Sequence, residues 1–353
     1  TEDAFRLFTI LNDRGIPLSN ADILKSINIG EIGEEDLDEY SKHWEYLEEK
    51  YHKGFDRFLS FVRTILLKNK PSSNLLDEYE KNIYQKNILK KGKNTIDFLI
   101  ELDGIYDKII DLNDENLSNE YKNLVTIMKL GLHSDEWIPT VLSYFLKFEY
   151  YNLDEFIKKL EYKFIGDLMS NVSPSKRREN LNNIIKTIEI VSKENMDILF
   201  ENRELFDIDK NIFRKNINGD IYGKKYTKYL LLKMEYLMND NSVYLSNYKE
   251  ISIEHVLPQN PLKKSHWRRD FTEEQRKLWT NKLSNLVLIS NKKNVKLANL
   301  DFKKKKEEYL KNRMDVFNSS KIFLDKSSKW DETNLRNRQN IMVNMLINNK
   351  YSE

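Results

Sequence analysis

Cysteine is absent from this chain of 353 residues, and proline and glycine are scarce, with 6 and 10 copies. Without cysteine there is no disulfide, no thiol nucleophile and no Cys-x-x-Cys zinc site, so ordinary packing must hold any small domain. No apolar run approaches the roughly 18 residues that would cross a membrane, and no signal-peptide pattern opens the chain. We therefore expect a cytoplasmic protein that does not bind membranes.

The residues that are present predict a folded, mainly helical protein. Forty per cent are apolar, which excludes wholesale disorder, and the length allows two or three domains with separate cores. Apolar residues follow the three-and-four spacing of a buried helical face along Phe55–Leu66 and Phe156–Leu168. The stretch Trp137–Tyr150 is apolar almost all round, which predicts a packed central helix entered through Pro139. The chain begins without Met, and we expect a fragment of a longer protein.

The net charge of +2 conceals an uneven distribution. Between Pro261 and Arg313 there are 16 Lys or Arg and 6 Asp or Glu, whereas an acidic run lies at 31–39. A basic segment suits a phosphate-backbone partner, although a solvated helical face is the plainer interpretation of the lysine run. The candidate nucleic-acid contacts in this segment are Arg268, Arg269, Lys303, Lys304, Lys305 and Lys306.

Two short β candidates interrupt the helical pattern, at Ser252–Leu257 and Leu286–Ile289. Between them, Thr272 predicts the N-cap of a helix. The helices expected after the second strand are Asn291–Leu300, Phe302–Arg313 and Glu332–Tyr351. The last helix should carry Ile341, Met345 and Leu346 on its apolar side.

An ordered set of polar residues accompanies the two strands. Glu254 and His255 close the first strand, Pro258 follows three residues on, Asn285 opens the second strand, and Asn294 lies nine residues further. Each pairing alone is weak evidence, but their joint order and spacing are fairly specific. The set therefore predicts one site.

Phosphodiester hydrolysis requires a deprotonated water, neutralisation of charge on the phosphoryl group and a stabilised leaving oxygen. His255 suits the base because its ordinary pKa lies near neutrality. Glu254 and Asn294 offer hard oxygen ligands that suit Mg²⁺ or Mn²⁺. Asn285 would hold the hairpin or orient the imidazole. The plainer alternatives are a satisfied strand-end histidine for His255, a helix cap for Asn294 and an acceptor outside the metal shell for Glu254.

These residues resemble the HNH, or His-Me finger, nuclease hairpin, a β-β-α unit that uses one divalent ion. The resemblance is strongest to the C-terminal nuclease domain of the GmrSD-type modification-dependent restriction endonucleases. The matching positions are Ile253-Glu254-His255-Val256-Leu257-Pro258-Gln259, Trp267, Ser284-Asn285-Leu286-Val287-Leu288, Asn294, Asn299, Phe302 and Lys305. Ser284 stands where Gly is usual in the family. Trp267 and Phe302 are expected to fill the hairpin core.

A second match lies at the start of the chain. Residues 8–25, with Asn12-Asp13-Arg14-Gly15 at their centre, are similar to the end of the GmrSD N-terminal domain. The resemblance implies a ParB-like domain that hydrolyses a nucleotide and senses modified DNA, with Arg14 as a candidate phosphate contact. The Asp-Gly-Gln-Gln-Arg motif of that domain does not occur here, so the sensor region is expected to be missing in part. A plain turn between helices is the alternative for this segment.

The predicted fold is mainly α, multi-helical, with a small ββα-metal module near the C-terminus. The predicted domains are 1–50, the remnant of the ParB-like domain; 51–240, a helical linker domain; 241–320, the nuclease domain; and 321–353, a C-terminal helical segment. The expected function is Mg²⁺- or Mn²⁺-dependent cleavage of DNA, as the resemblance implies in bacterial or archaeal defence against phage DNA with modified bases. The alternatives are an inactive helical DNA-binding or regulatory scaffold and an RNA-cutting nuclease. The sequence leaves the oligomeric state open.

Overall fold

The computed structural model describes residues 18–242, 244, 250–311, 317–325 and 329–350. Arg14 and most of the N-terminal GmrSD-like motif lie outside these described residues. The chain is divided by its internal contacts into two compact units that alternate along the sequence. Unit 1 contains residues up to Leu117, Glu136–Phe156 and Ser173–Leu205, and unit 2 contains Ser118–Asp135, Ile157–Val172 and the residues from Phe206 onward.

Helices dominate both units, as expected from the sequence. In chain order they are α1 Asn20–Ile29, α2 Leu37–Tyr51, α3 Phe55–Leu67, α4 Leu75–Asp77, α5 Lys93–Ile109, α6 Asn119–Gly131, α7 Ile138–Phe148, α8 Leu153–Met169, α9 Pro174–Ile190, α10 Asp197–Phe200, α11 Arg203–Phe206, α12 Lys210–Ile217, α13 Thr227–Met238, α14 His266–Asp270, α15 Glu273–Trp279, α16 Asn291–Leu297, α17 Phe302–Leu310 and α18 Glu332–Asn348. Short 3₁₀ turns lie at His52–Gly54, Lys193–Asn195, Leu283–Asn285 and Asn318–Phe323, and a π-helical turn lies at Glu78–Tyr84.

In unit 1, α7 is the central helix predicted from its composition. Pro139 occupies its first turn, where a missing N–H costs no hydrogen bond, and the helix is buried on most sides. It packs against α3, α5 and α9. Beside it, the guanidinium of Arg63 and the carboxylate of Glu78 form a buried ion pair. The apolar periodicity along α3 is confirmed, since Phe58, Leu59 and Val62 are fully or almost fully buried.

In unit 2, a two-stranded antiparallel sheet stands among helices. Strand β1 is Ile251–His255 and strand β2 is Leu286–Ser290, with Glu254 opposite Val287 and His255 opposite Leu286. Both predicted strands are therefore confirmed to within two residues at their ends. A core of large apolar side chains packs against the strands, and its members include Val256, Leu257, Trp267, Phe271, Trp279, Val287, Ile289, Leu297, Tyr309, Phe323, Trp330 and Leu335.

Local signals place the helix boundaries in unit 2. Thr272 caps α15 through a reciprocal capping box with Gln275, as predicted. Helices α6 and α13 meet closely at Gly131, where an added Cβ would lie 2.5 Å from the Tyr229 Cα, so only glycine fits. Helix α18 ends at Asn348, and it buries Met345 but leaves Ile341 46% exposed. The expectation that Ile341 faces the core was wrong.

The two compact units do not follow the predicted domain limits at residues 50, 240 and 320. Segments 118–135 and 157–172 contact the C-terminal part of the chain rather than their sequence neighbours. The predicted domain assignments remain predictions. No helix in the described part of the chain combines the length and apolar character that crossing a membrane requires.

Candidate active site

The candidate site is built on the end of β1. Side chains alternate along a strand, so Ser252 and Glu254 face one side of the hairpin while Ile253 and His255 face the other. Beyond the strand, the Val256 N–H donates to the Asn285 carbonyl at 3.0 Å, which holds the two chains together past His255. Glu254 and His255 are thus adjacent in the backbone and divergent in direction.

The His255 imidazole is 8% exposed and is held from two sides. Its Nε2 lies 3.3 Å from Oδ1 of Asn281, and the ring of Tyr222 packs edge-on at 4.2 Å between centroids. The Gln259 amide donates to the same Asn281 oxygen at 3.4 Å. Because an amide oxygen only accepts, the imidazole carries its proton on Nε2, and Nδ1 is the basic nitrogen.

Burial, with a smaller contribution from the positive charge of Lys305, lowers the pKa of His255 to about 4, and the hydrogen bond to Asn281 opposes the shift. The imidazole is therefore neutral at neutral pH. A neutral imidazole with a defined protonated nitrogen can accept a proton at the other nitrogen.

Glu254 is buried and ion-paired. Its carboxylate accepts a short hydrogen bond from the Lys305 ammonium, and the same ammonium donates to the His255 carbonyl at 2.7 Å. Burial raises the pKa of Glu254 and lowers that of Lys305, and the attraction between the two charges opposes both shifts. Lys305 has no exposed area, so it cannot reach a phosphate in this structure. This corrects the expectation that Lys305 is a surface cation.

Asn285 is fully buried, and its side chain joins the hairpin to neighbouring residues through hydrogen bonds. Its amide nitrogen donates to the carbonyls of Leu257 and Thr280, both at 2.9 Å. Its amide oxygen accepts from the Leu257 N–H at 2.8 Å and from the Trp330 indole at 3.0 Å. Asn285 thus holds the hairpin, and the imidazole is bonded by Asn281 instead.

Asn294 lies in α16, on the side of the hairpin that carries Glu254. Its amide nitrogen donates to the Ser252 hydroxyl, which leaves the amide oxygen as its remaining donor atom for a cation. Among the described residues, no group of three or more His, Cys, Asp or Glu side chains is placed to hold a metal ion. A carboxylate and an amide oxygen still match Mg²⁺, which keeps several waters and needs few protein ligands. The oxygen atoms of Glu254 and Asn294 are of the kind that such an ion binds. In this structure the Glu254 carboxylate is paired with Lys305.

The remaining candidate cations differ in exposure. Arg268, Arg269, Lys303 and Lys304 are exposed, and Lys306 is partly buried. Arg268 donates through Nε to the Pro261 carbonyl at 3.0 Å, Arg269 pairs with Asp270, and Lys306 donates to the Asp325 carbonyl at 2.7 Å.

The residues expected to support the site are placed in the core. Pro258 is buried beside the strand end, and Trp267 belongs to the apolar core with its indole donating to the Leu300 carbonyl at 2.9 Å. Phe302 packs against Trp267 at 6.2 Å and Trp330 at 5.6 Å between ring centroids. The N-terminal candidate Arg14 lies outside the described residues.

Sequence reasoning missed two residues of the site, Asn281 and Tyr222, and assigned a third, Lys305, to nucleic-acid contact. Asn281 precedes Asn285 by four positions in an irregular connection, and Tyr222 precedes β1 by a long segment, so no periodicity indicates either contact. Lys305 left a usable signal, because it lies one helical turn after the core residue Phe302, and a helical position beside a core residue tends to face inward. The two missed residues fix the imidazole, and Lys305 fixes the carboxylate.

The fold is that of a mainly helical protein with a histidine-bearing strand pair, a following helix and several exposed cations. Residues 207–345 match the family model described as GmrSD restriction endonucleases, C-terminal domain. The predicted resemblance to that C-terminal domain is thereby confirmed over this segment. None of the curated proteins compared with the chain matches it.

Proposed function

We propose that this chain is a metal-dependent DNA endonuclease with an active site of the HNH, or His-Me finger, type. The observation that carries the proposal is the His255 imidazole, fixed at a strand end by Asn281 and Tyr222 beside the buried pair of Glu254 and Lys305. This arrangement lies inside the segment matched to a restriction endonuclease family. A histidine held in one tautomer is what a general base requires.

In the proposed reaction, Nδ1 of His255 removes a proton from the attacking water. Asn281 keeps the other ring nitrogen protonated, so the imidazole accepts the proton without rotating. The resulting imidazolium is relieved by Oδ1 of Asn281, a hydrogen-bond acceptor at 3.3 Å. Tyr222 limits ring motion from the side, which preserves the line between the base and the phosphorus.

Glu254 and Asn294 are the proposed ligands of the divalent ion. A bound Mg²⁺ or Mn²⁺ would neutralise charge on the phosphoryl group and on the leaving 3′ oxygen. Lys305 fixes the Glu254 side chain and offsets its negative charge through one ammonium. Asn285 keeps the strand end in register so that Glu254 and His255 stay at one end of the hairpin.

The proposed DNA contacts are the exposed cations Lys303, Lys304, Arg268 and Arg269. Their charges lie in the basic segment around the hairpin, and such a segment raises the local concentration of a polyanion. The N-terminal resemblance favours phage DNA with modified bases as the biological substrate. That assignment would involve a sensor region in the same protein.

Plasmid cleavage by the purified full chain tests the proposal. With Mg²⁺ or Mn²⁺ the wild type should nick or linearise DNA, and EDTA should stop it. His255→Ala should lose at least about 100-fold in rate, within the range of general acid–base catalysis. His266→Ala is the matched control, since its side chain is 62% exposed, and it should keep wild-type activity. Equal cleavage by both variants would remove His255 from the mechanism.

One observation favours an inactive scaffold. Glu254 is already neutralised by Lys305, and the described residues contain no larger metal-ligand cluster. The scaffold predicts retention of DNA in a gel shift with no cleavage in any divalent ion. A parallel digestion of single-stranded RNA separates the RNA-cutting alternative, which predicts faster loss of RNA than of DNA.

A further inference from the structure

A cavity of about 240 Å³ lies inside unit 1. It is formed by α3, α7, α9 and the segment that joins α3 to α4, and its wall is mostly apolar. The apolar lining residues include Phe61, Leu75, Pro139, Leu181 and Ile185. Such a wall suits a small ligand with an apolar body.

The buried ion pair of Arg63 and Glu78 holds one side of this cavity in place. The Arg63 guanidinium donates to the backbone carbonyl and to the side-chain oxygen of Asn69, which lines the cavity. The Glu78 carboxylate accepts the backbone N–H groups of Ser72 and Ser73, at 2.8 and 3.1 Å. The wall is therefore ordered before any ligand binds, as in most small-molecule sites.

Asn182, on α9, is a polar side chain that opens into this cavity. The residue lines the cavity and is 5% exposed. Its amide makes no hydrogen bond with any group in the described part of the chain, and both amide atoms keep some accessible surface. Because the residue is otherwise enclosed, that surface faces the cavity. Native proteins seldom keep a buried amide without a partner unless it has a role.

We propose that this cavity binds a two-ring heteroaromatic base of the purine kind, whose hydrogen-bonding edge pairs with the Asn182 amide. Such an edge presents a donor and an acceptor side by side, and an Asn side chain meets them with its own acceptor and donor. The apolar faces of the rings would lie against Phe61, Leu181 and Ile185. A purely apolar ligand would leave the buried amide without a partner, which costs free energy.

The volume of the cavity favours two fused rings over one. A closed apolar cavity of about 150 Å³ holds benzene, a single ring, and the larger volume here leaves room for a second ring. The cavity is smaller than the roughly 300–1,000 Å³ of sites for drug-sized ligands. A sugar attached to the base would therefore remain outside it.

The charges around the cavity favour a neutral ligand. Arg63 is paired with Glu78, and Arg178 is paired with Glu136. Arg57, the remaining charged residue of the described lining, is exposed. The group that the cavity offers to a ligand is thus the uncharged amide of Asn182.

Ligand binding to the purified full chain in EDTA tests the proposal. Isothermal calorimetry would compare adenosine and inosine with purine riboside, which has the same two rings and sugar but no polar substituent on the six-membered ring. Adenosine or inosine should bind about tenfold or more tightly than purine riboside, because only these two present a donor beside an acceptor to Asn182. Saturation-transfer NMR on the same samples shows whether the base protons contact the protein.

Asn182→Leu keeps the size of the side chain and removes the amide, so it should lose about tenfold or more of the affinity for the tighter nucleoside. Asn183→Leu is the matched control, since Asn183 is the next residue of α9 and does not line the cavity, and it should bind like the wild type. In ligand-free buffer, Asn182→Leu should melt no lower than the wild type, because the amide has no protein hydrogen bond to lose. If Asn182→Leu fails to fold, the comparison of the three nucleosides on the wild type decides alone.

Competition separates the two sources of such a base, a free nucleoside and one unit of a nucleic-acid strand. If a short single-stranded oligodeoxynucleotide of the same base displaces the nucleoside, the cavity takes a strand unit, and if it does not, the cavity takes the free compound. Equal binding by Asn182→Leu and the wild type would overturn the proposal. So would equal binding of purine riboside, or no binding of adenosine and inosine. None of these results depends on whether the chain cuts DNA.

Discussion

The Lys305 ammonium is buried against the Glu254 carboxylate and donates a second hydrogen bond, at 2.7 Å, to the His255 carbonyl. One cation on α17 thus fixes both residues of the acid–histidine pair on β1. The ion pair of Lys305 and Glu254 is removed from water, so the free energy of folding depends on both partners being present.

Lys305→Met should destabilise the protein by about 3–5 kcal/mol, because it leaves the Glu254 carboxylate buried without its partner. Urea unfolding followed by circular dichroism measures this. The neighbouring Lys304→Met, at an exposed position, should change the unfolding free energy by less than about 0.5 kcal/mol. Similar losses in the two variants would show that the buried pair does not stabilise the fold.

Asn285→Ala should cost at least about 3 kcal/mol, because it leaves buried groups of Leu257, Thr280 and Trp330 without partners. Asn299→Ala, at an exposed position in the turn after α16, is the control and should be nearly neutral. Thermal and chemical unfolding of both variants decide the matter. A stable Asn285→Ala protein would mean that the hairpin is held elsewhere.

The His255 ring should titrate near pH 4 in the metal-free protein, well below the ordinary value of about 6.5. Two-dimensional NMR of the imidazole carbons follows the titration directly. Between these two pH values, His255 binds a proton in the unfolded chain but not in the folded chain. His255 therefore lowers the free energy of unfolding as pH falls through that window, by up to about 3 kcal/mol, and has no such effect above it.

His255→Gln should remove this part of the acid sensitivity, so its stability should fall less between pH 6.5 and pH 4. His266→Gln, at an exposed position, should keep the wild-type slope. A ring that titrates at its ordinary pH would show that His255 is solvated rather than buried.

The double variant Lys303→Ala and Lys304→Ala should weaken DNA binding and reduce its salt dependence, since both lysines are exposed beside the hairpin. Each lost phosphate contact should lower the slope of log K against log salt by about 0.9. Fluorescence anisotropy at several salt concentrations measures the slope. Lys53→Ala, an exposed lysine in unit 1, should leave it unchanged. An unaltered slope in the double variant would place the DNA elsewhere.

Local sequence patterns were sufficient to predict these strands and the starts of these helices. The alternating apolar residues of β1 and β2, the Thr272 cap and the Pro139 entry of α7 each depend on neighbours within a few positions. Their order along the chain also carried the family resemblance. The exposure of Ile341 was not predictable in this way, because two sides of α18 are apolar and only the neighbouring elements decide which side is covered.

By itself the sequence determined the mainly helical fold, the two strands and the position of Glu254 and His255 at the end of one strand. Only the tertiary structure decided that Asn281 holds the imidazole and that Lys305 is buried against Glu254. These contacts join residues that are 26 and 51 positions apart in the sequence. Helix and strand patterns record short-range periodicity, whereas the partner of a buried polar group is set by whichever distant segment packs over it.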